Sequence, residues 1–223
     1  MARAASTKTK RAKGPDDVAE RILETALEMA EENGWAAVRL RDVAARLKIP
    51  LESVLDHYRD LDGVADAWFR RAWHAMLQAP PDGFADQPPP QRIELIMMRW
   101  FDALAAHRRV TGEMLGAKMW YAHPHHWVPA IFNLSRTVQW IREVSLLDTG
   151  GRQRQVEEIG LTALFLAALR VWLRDETENQ QKTRDFLRRR LASADRLMAV
   201  WTARQFRRAP KPADAPGAED AAA

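Results

Sequence analysis

Three features of the 223-residue chain predict an all-α fold. Apolar residues recur at three- and four-residue steps through most segments, glycine is limited to 10 positions, and no stretch alternates apolar with polar as a half-buried strand would. Hydrophobic residues make up 47% and charged residues 29%, enough apolar side chain for a real core. With no cysteine, disulfides, thiolate metal sites and cysteine nucleophiles are excluded, and a reducing cytoplasm is the expected setting. The basic opening "MARAASTKTKRAKG" lacks the apolar core of a signal peptide, and no apolar run approaches the roughly eighteen residues of a membrane span.

The first helix is expected in "GPDDVAERILETALEMAEENGW". Pro15, Asp16 and Asp17 mark its start, Val18, Ile22, Ala26, Met29 and Ala30 share one face, and Gly34 ends it. Leu40, Val43, Ala44 and Leu47 form the inner stripe of a second, short helix. Ile49 and Pro50 make a turn, and Val54, Leu55 and Tyr58 form the stripe of a third. A longer helix follows from Leu61 to Gln78. The segment "APPDGFADQPPPQ", with five prolines, then reads as a flexible or irregular link between a small N-terminal domain and a larger C-terminal one.

Five helices are predicted beyond the link. "PQRIELIMMRWFDALAAHR" and "RVTGEMLGAKMWYA" come first, then "PHHWVPAIFNLSRTVQWIREVSLL", which Asp148, Thr149, Gly150 and Gly151 stop. Val156, Ile159, Ala163, Leu166, Leu169 and Leu173 pattern the fourth, and Phe186, Leu187, Leu191, Ala194, Met198 and Trp201 the fifth. The tail "APKPADAPGAEDAAA" is expected to be disordered.

Charge is unevenly spread. Arg3, Lys8, Lys10, Arg11 and Lys13 occupy the first thirteen residues without an acid, and Lys182 to Arg208 holds nine Lys or Arg against Asp185 and Asp195. Between Leu51 and Asp62 the balance reverses, with Glu52, Asp56, Asp60 and Asp62 against Arg59 alone. A helix lying among phosphates is not expected to be acidic, although a carboxylate can accept from a cytosine amino group in the major groove.

"RILETALEMAEENGW" with its Gly34-Trp35, "LRDVAARLKI" and the pair His57-Tyr58 resemble the N-terminal domain of the TetR family of bacterial transcriptional regulators. Where that family carries a small residue, Lys-Gly-Thr or Lys-Gly-Ser and Leu-Tyr, this chain has Pro50, Leu51, Glu52, Ser53, Val54 and Leu55, and Leu61 stands at the position of a later phosphate-binding lysine. The resemblance implies a TetR-like fold in four parts: a basic disordered arm over 1–14, a helix-turn-helix DNA-binding domain over 15–62, a connecting helix with a ligand-binding and dimerising domain over 63–208, and a disordered tail over 209–223. It implies a cytoplasmic homodimeric repressor that binds paired half-sites of a double-stranded DNA operator under control of an apolar small-molecule effector. Arg39 and Arg41 are the candidates for phosphate contact. Ser53, His57, Tyr58 and Lys48, with Lys10 and Arg11 of the arm, complete the expected DNA contacts.

"WLRDETENQQKTRDFLRRRLASADRLM", residues 172–198, is similar to the C-terminal region of the accessory lipid-binding proteins of ubiquinone biosynthesis, which share the TetR architecture. This second resemblance implies an alternative: a protein that holds an isoprenoid lipid or rests on a membrane surface and does not read DNA.

In the second domain, aromatic and thioether side chains at helical spacing mark an adaptable apolar interior, and Met98, Trp100, Met119, Trp120, Trp127 and Trp140 are its candidate ligand-lining residues. Ile159, Ala163, Leu166, Phe186, Leu191 and Met198 are the expected dimer surface. His123, His125 and His126 cluster around a proline without a carboxylate partner, so a helix start is expected there and no metal. No nucleophile adjoins a base and no cofactor fingerprint occurs, so neither an enzyme nor a cofactor is expected.

Overall fold

A computed structural model describes residues 15–118 and 124–208, with side chains at 17–117 and 133–198. All nine predicted helices form. The first, α1, spans Pro15–Asn33 with proline in its first turn, where the missing N–H is not needed. It buries Ile22, Leu23, Ala26, Leu27 and Ala30 along one face. Its end is fixed by Gly34 at φ +83°, a conformation that strains any residue with a Cβ, and the Gly34 amide donates to Ala30 O at 2.8 Å. A 3-10 turn at Trp35–Ala37 leads into α2, Leu40–Leu47, which Lys48 closes in the left-handed region at φ 56°. Next come α3, Leu51–Leu55, and α4, Leu61–Met76, the latter capped by Asp60, whose carboxylate accepts from the Gly63 amide at 2.8 Å.

The body consists of α5 (Pro89–Leu104), α6 (Arg108–Lys118), α7 (Pro124–Val144), α8 (Gly151–Trp172) and α9 (Gln181–Arg208). Helix α4 packs along α5, α5 and α8 both meet α9, and α7 packs on α8. Buried side chains run without a break from Ile22 and Leu27 of α1 through Trp68 of α4, Met97, Met98 and Phe101 of α5 and Trp172 of α8 to Leu187 and Leu191 of α9.

That continuity corrects one expectation. The proline-rich segment does not separate two cores: it joins α4 to α5, which pack on each other, and it is bonded to the body. Arg99 donates to Gln78 O at 2.7 Å and Ala79 O at 3.1 Å, Arg92 donates to Ala85 O at 2.9 Å, and Phe84 is buried. Arginines reaching back from α5 satisfy the loop carbonyls that a proline-rich chain cannot pair within itself. The basic arm before Pro15 and the tail after Arg208 lie outside the described residues.

The α8–α9 corner is built on a buried carboxylate. Asp175 accepts through Oδ1 from the Thr177 amide at 3.0 Å and the Thr177 hydroxyl, and through Oδ2 from the Thr183 amide at 2.8 Å and the Thr183 hydroxyl at 2.5 Å. Gln180 accepts from the Trp172 indole and donates to Asp102 at 2.5 Å, while Arg184 bonds Asp102 at 2.8 and 2.9 Å. Three helices are thereby tied at the first turn of α9, where a carboxylate also meets the positive end of the helix dipole. Burial pushes the Asp175 carboxyl up, but the hydrogen bonds from Thr177 and Thr183 outweigh it and hold the group below the usual carboxylate range. A lowered folded-state pKa means that Asp175 stabilises fully above its unfolded pKa of about 4 and loses that contribution as pH falls toward the folded value. Asp175→Asn is expected to cost about 2 kcal/mol at pH 7 in urea unfolding, since bonds to a charged acceptor are lost. The gap from the unsubstituted protein should narrow below about pH 4.

Candidate functional site

The α2–turn–α3 unit stands on α1 as the sequence requires, with Val43, Ala44 and Val54 facing inward. Helix α3 differs from expectation in what it shows to solvent. Leu55, assigned to the inner stripe, is 63% exposed, and Leu51, one turn earlier, is 53% exposed. The helix ends at Leu55, so Tyr58 reaches the core from the following bend and takes the inner place that the stripe gave to Leu55. Glu52 and Asp56 are exposed beside the two leucines. The outer face of the second element of the helix-turn-helix is therefore two leucines and two carboxylates.

The cations of α2 and its flanks fall into two groups. Arg46 forms a paired bond with Glu32 of α1, 2.7 Å at both oxygens, which holds the Glu32 carboxyl below its usual range. Arg39 directs its guanidinium to Ala36 O at 2.7 Å and Val38 O at 2.9 Å, securing the entry to α2. The other group faces outward: Arg41, whose contact with Asp42 is a long 3.5 Å, and Lys48 at the turn are exposed. Ser53 and His57 are half-buried on the same unit. Lys10 and Arg11 lie outside the described residues.

Tyr58 has a structural task. Its hydroxyl donates to Ala19 O at 3.1 Å, fastening the segment after α3 to the first turns of α1, and burial pushes the phenol above its ordinary pKa.

A polar seam joins this head to the body, and its residues were not among those the sequence singled out. On α6, Arg109 bonds the Glu31 carboxylate at 2.9 Å, Ala30 O at 2.9 Å and Glu31 O at 2.7 Å, neutralising the carbonyl end of α1. Glu113 holds Arg109 at 2.6 Å and accepts from the Trp35 amide at 2.6 Å. A Cβ at Gly34 would sit 3.4 Å from the same Glu113 oxygen. Beneath, the Trp68 indole donates to Thr111 Oγ at 2.8 Å, and His107 meets the Trp68 ring edge-on at 5.6 Å. The pair at i and i+4 on α6 was the signal available in the sequence, but such pairs are common on exposed helix faces.

Of the candidate ligand residues, Met98 and Trp100 are buried in α5, whereas Trp140 of α7 is 45% exposed. Met119 and Trp120 lie outside the described residues, and so does the side chain of Trp127. Two surface concavities open elsewhere. One of about 420 Å³ is apolar and lined by Pro80, Pro81, Phe84, Val144 and Leu146 among others, and one of about 350 Å³ is polar, around Gln139, Arg142, Asp148 and Arg154. Neither contains Met98, Trp100 or Trp140. Among the described residues no group of three histidines or carboxylates is placed to hold a metal, and no helix is long and apolar enough to cross a membrane.

The candidate dimer residues divide by helix. On α8, Ile159 is 71% exposed and Leu166 46% exposed, with Ala163 between them also exposed, an apolar stripe without cover in the single chain. On α9, Phe186 and Met198 are half-buried, but Leu191 belongs to this chain's own core and cannot face a second subunit. The α9 stripe is split because α5 and α8 already occupy one side of that helix.

Residues 158–198 match the COQ9 family. The crystal structure of the TetR transcriptional regulator from Nitrosomonas europaea ATCC 19718 is similar at 40% identity with a TM-score of 0.70, covering 82% of this chain and 98% of that one. A TetR transcriptional regulator from Rhodococcus sp. RHA1 shares the fold at 16% identity and a TM-score of 0.55, covering 83% of this chain and 96% of that one. No curated protein matches the chain.

The seating of Tyr58 separates support from contact. Tyr58→Phe removes one half-buried hydrogen bond and is expected to lower unfolding stability by about 1 kcal/mol. It should leave the salt dependence of any nucleic-acid binding unaltered, because no phosphate contact is lost. A flatter salt slope with unchanged stability would return Tyr58 to the contact surface.

Proposed function

The chain belongs to the TetR family, and from that premise we propose that it is a homodimeric DNA-binding regulator, a repressor, controlled by an apolar small molecule held in the helical body. The observation that carries this reading is a correctly assembled helix-turn-helix whose outward cations, Arg41 and Lys48, flank a reading helix with two exposed leucines. Phosphate contact supplies affinity, from Arg41, Lys48, Ser53 and the arm residues Lys10 and Arg11; base contact supplies selectivity. Leu51 and Leu55 suit thymine methyl groups, and Glu52 and Asp56 suit cytosine amino groups, so the operator half-site is one in which pyrimidines face α3.

The uncovered α8 stripe of Ile159, Ala163 and Leu166, with Phe186 and Met198 of α9, is the seam for the second copy. Pairing sets the distance between two heads, and that distance decides whether both half-sites are engaged. The α6 seam supplies a route for control: a ligand that moves α6 moves Arg109 and Glu113, and with them the end of α1 and the head.

A second reading has its own observation. The COQ9 match covers residues 158–198, and the outer face of α3 is acidic, which favours a lipid-binding accessory protein of ubiquinone biosynthesis that has left DNA. The corner of Trp172, Asp175, Gln180 and Thr183 lies inside that matched segment and serves packing, so the match supports shared architecture more directly than shared ligand.

Selection of bound fragments from random DNA at low salt decides between the readings. Enrichment of a two-fold symmetric sequence is expected; no enrichment, together with tight binding to anionic phospholipid vesicles and a co-purifying isoprenoid in the mass spectrum, overturns the regulator in favour of the second reading. Arg41→Ala and deletion of residues 1–13 should each weaken DNA binding, and the slope of log affinity against log salt should fall by about one unit per lost phosphate contact. Ile159→Glu and Leu166→Glu should give folded monomers by light scattering, because each places a charge in an apolar seam while the side chain faces solvent in the single chain. An intact dimer in both variants moves the seam elsewhere.

A further inference from the structure

Helix α3 leaves two leucines in water. Leu51 is 53% exposed and Leu55 63% exposed, four residues apart on one side of the helix, and the exposed Glu52 and Asp56 follow them at the same spacing. Like charges four residues apart repel, and Asp56 closes the helix, where the carbonyl end of the dipole also disfavours a carboxylate. Neither carboxylate has an ion-pair partner among the described residues, and Arg59, the cation that follows α3, is bonded to Asp60 at 3.1 Å. An apolar face edged with two unmatched acids suits a cover that is both cationic and apolar.

The chain carries such a segment, and its root lies beside α3. Tyr58, three residues beyond the helix, donates to Ala19 O at 3.1 Å, and Ala19 stands four residues into α1 from Pro15, where the arm over 1–14 joins. That is about 6 Å along the axis of α1, whereas 14 extended residues reach up to about 46 Å, several times the length of α3. The arm holds Arg3, Lys8, Lys10, Arg11 and Lys13 without an acid, with Ala4, Ala5 and Ala12 among them. In an extended chain Lys8 and Lys10, or Arg11 and Lys13, project to one side about 6.6 Å apart, close to the roughly 6 Å that separates Glu52 from Asp56 along their helix. The exposed Arg41 and Lys48 of the same unit bear the arm's own sign, so its attraction is to α3 and not to α2.

We infer that in the free protein the basic arm folds back over α3 of its own chain, its cations against Glu52 and Asp56 and its small apolar side chains over Leu51 and Leu55. Contacts too weak to join separate molecules suffice here, because a short tether holds the arm at about millimolar effective concentration. Phosphates compete for the same cations, so the outer face of α3 is uncovered where a nucleic-acid backbone takes up the arm. Docking in the free chain goes beyond the function proposed above and holds whether or not α3 reads bases.

The test uses the full chain without DNA. Since the protein has no cysteine, Ser6→Cys accepts a single nitroxide label in the arm, and leucine methyl resonances report its approach. At low salt the Leu51 and Leu55 methyl signals are expected to fade, while that of Leu197, 71% exposed on α9, keeps its intensity. Raising the salt to about 0.5 M should restore them, because exposed charges are then screened within a few ångströms. Glu52→Gln combined with Asp56→Asn should restore them at low salt; both residues are exposed, so the fold is retained. Equal fading at Leu51, Leu55 and Leu197 overturns the inference, as does fading that survives the double substitution. Fading when label and isotope are carried on different chains puts the arm of a second copy on the face and overturns docking within the chain. Trypsin cleavage after Lys8, Lys10, Arg11 and Lys13 gives a second readout on unlabelled protein: the double variant should lose its arm about threefold faster at the same salt, since cleavage follows the undocked fraction. Equal rates overturn the inference. Fragment selection is independent of these measurements, so failure of docking leaves the regulator standing and failure of selection leaves docking standing.

Discussion

The position of the head depends on how the carbonyl end of α1 is satisfied. A helix leaves its last carbonyls without partners, and here the first of the remedies is not a local cap alone but Arg109, reaching from α6 to Ala30 O and Glu31 O. Glu113 then fixes the residue after the turn by accepting from the Trp35 amide, and Gly34 leaves room for that approach. Since α2 and α3 are built on α1, their aim is set by side chains of a helix that belongs to the body. Exposed ion pairs contribute little to stability, so the value of Arg109, Glu31 and Glu113 lies in geometry. They specify an angle.

The α8–α9 corner does for the body what the seam does for the head. Asp175 gathers the amides and hydroxyls of Thr177 and Thr183 at the first turn of α9, Gln180 joins Trp172 to Asp102, and Asp102 and Arg184 carry the connection to α5. A buried polar group left without its partner is costly, so a change at one of these residues is felt by the others.

Much of the fold was legible because the apolar periodicity is strong and the stop signals are local. Gly34 and the Ile49-Pro50 turn each mark an end by backbone chemistry that needs no tertiary context, whereas α7 stops earlier than the glycines at 150 and 151, at Val144 with Leu146 left-handed, and those glycines open α8. Prolines at 80–81 and 88–90 were misleading for the same reason: they report a break in regular structure, not whether the elements on either side share a core, which depends on Phe84 and on arginines of α5. Leu55 was placed inward because a five-residue helix offers too little periodicity to separate its faces. Leu191 and Ile159 have similar sequence surroundings, and only the packing of α5 and α8 around α9 decides that one is core and the other exposed. Of the site, the cations and aromatics were visible as residue types, but which arginine is spent on a carbonyl and which faces outward are facts of three-dimensional neighbourhood.

The brevity of α3 bears on how much such a protein could know about a genome. Five residues at 1.5 Å each span about 7.5 Å, close to two base-pair steps of the duplex. Two heads related by symmetry would then inspect about four positions, a word that recurs about once in every few hundred base pairs and so thousands of times among a million competing sites. Discrimination on that scale cannot come from vocabulary. It has to come from spacing and from the flexibility of the unread base pairs between the two words, quantities measured by the body of the protein and not by its reading helix.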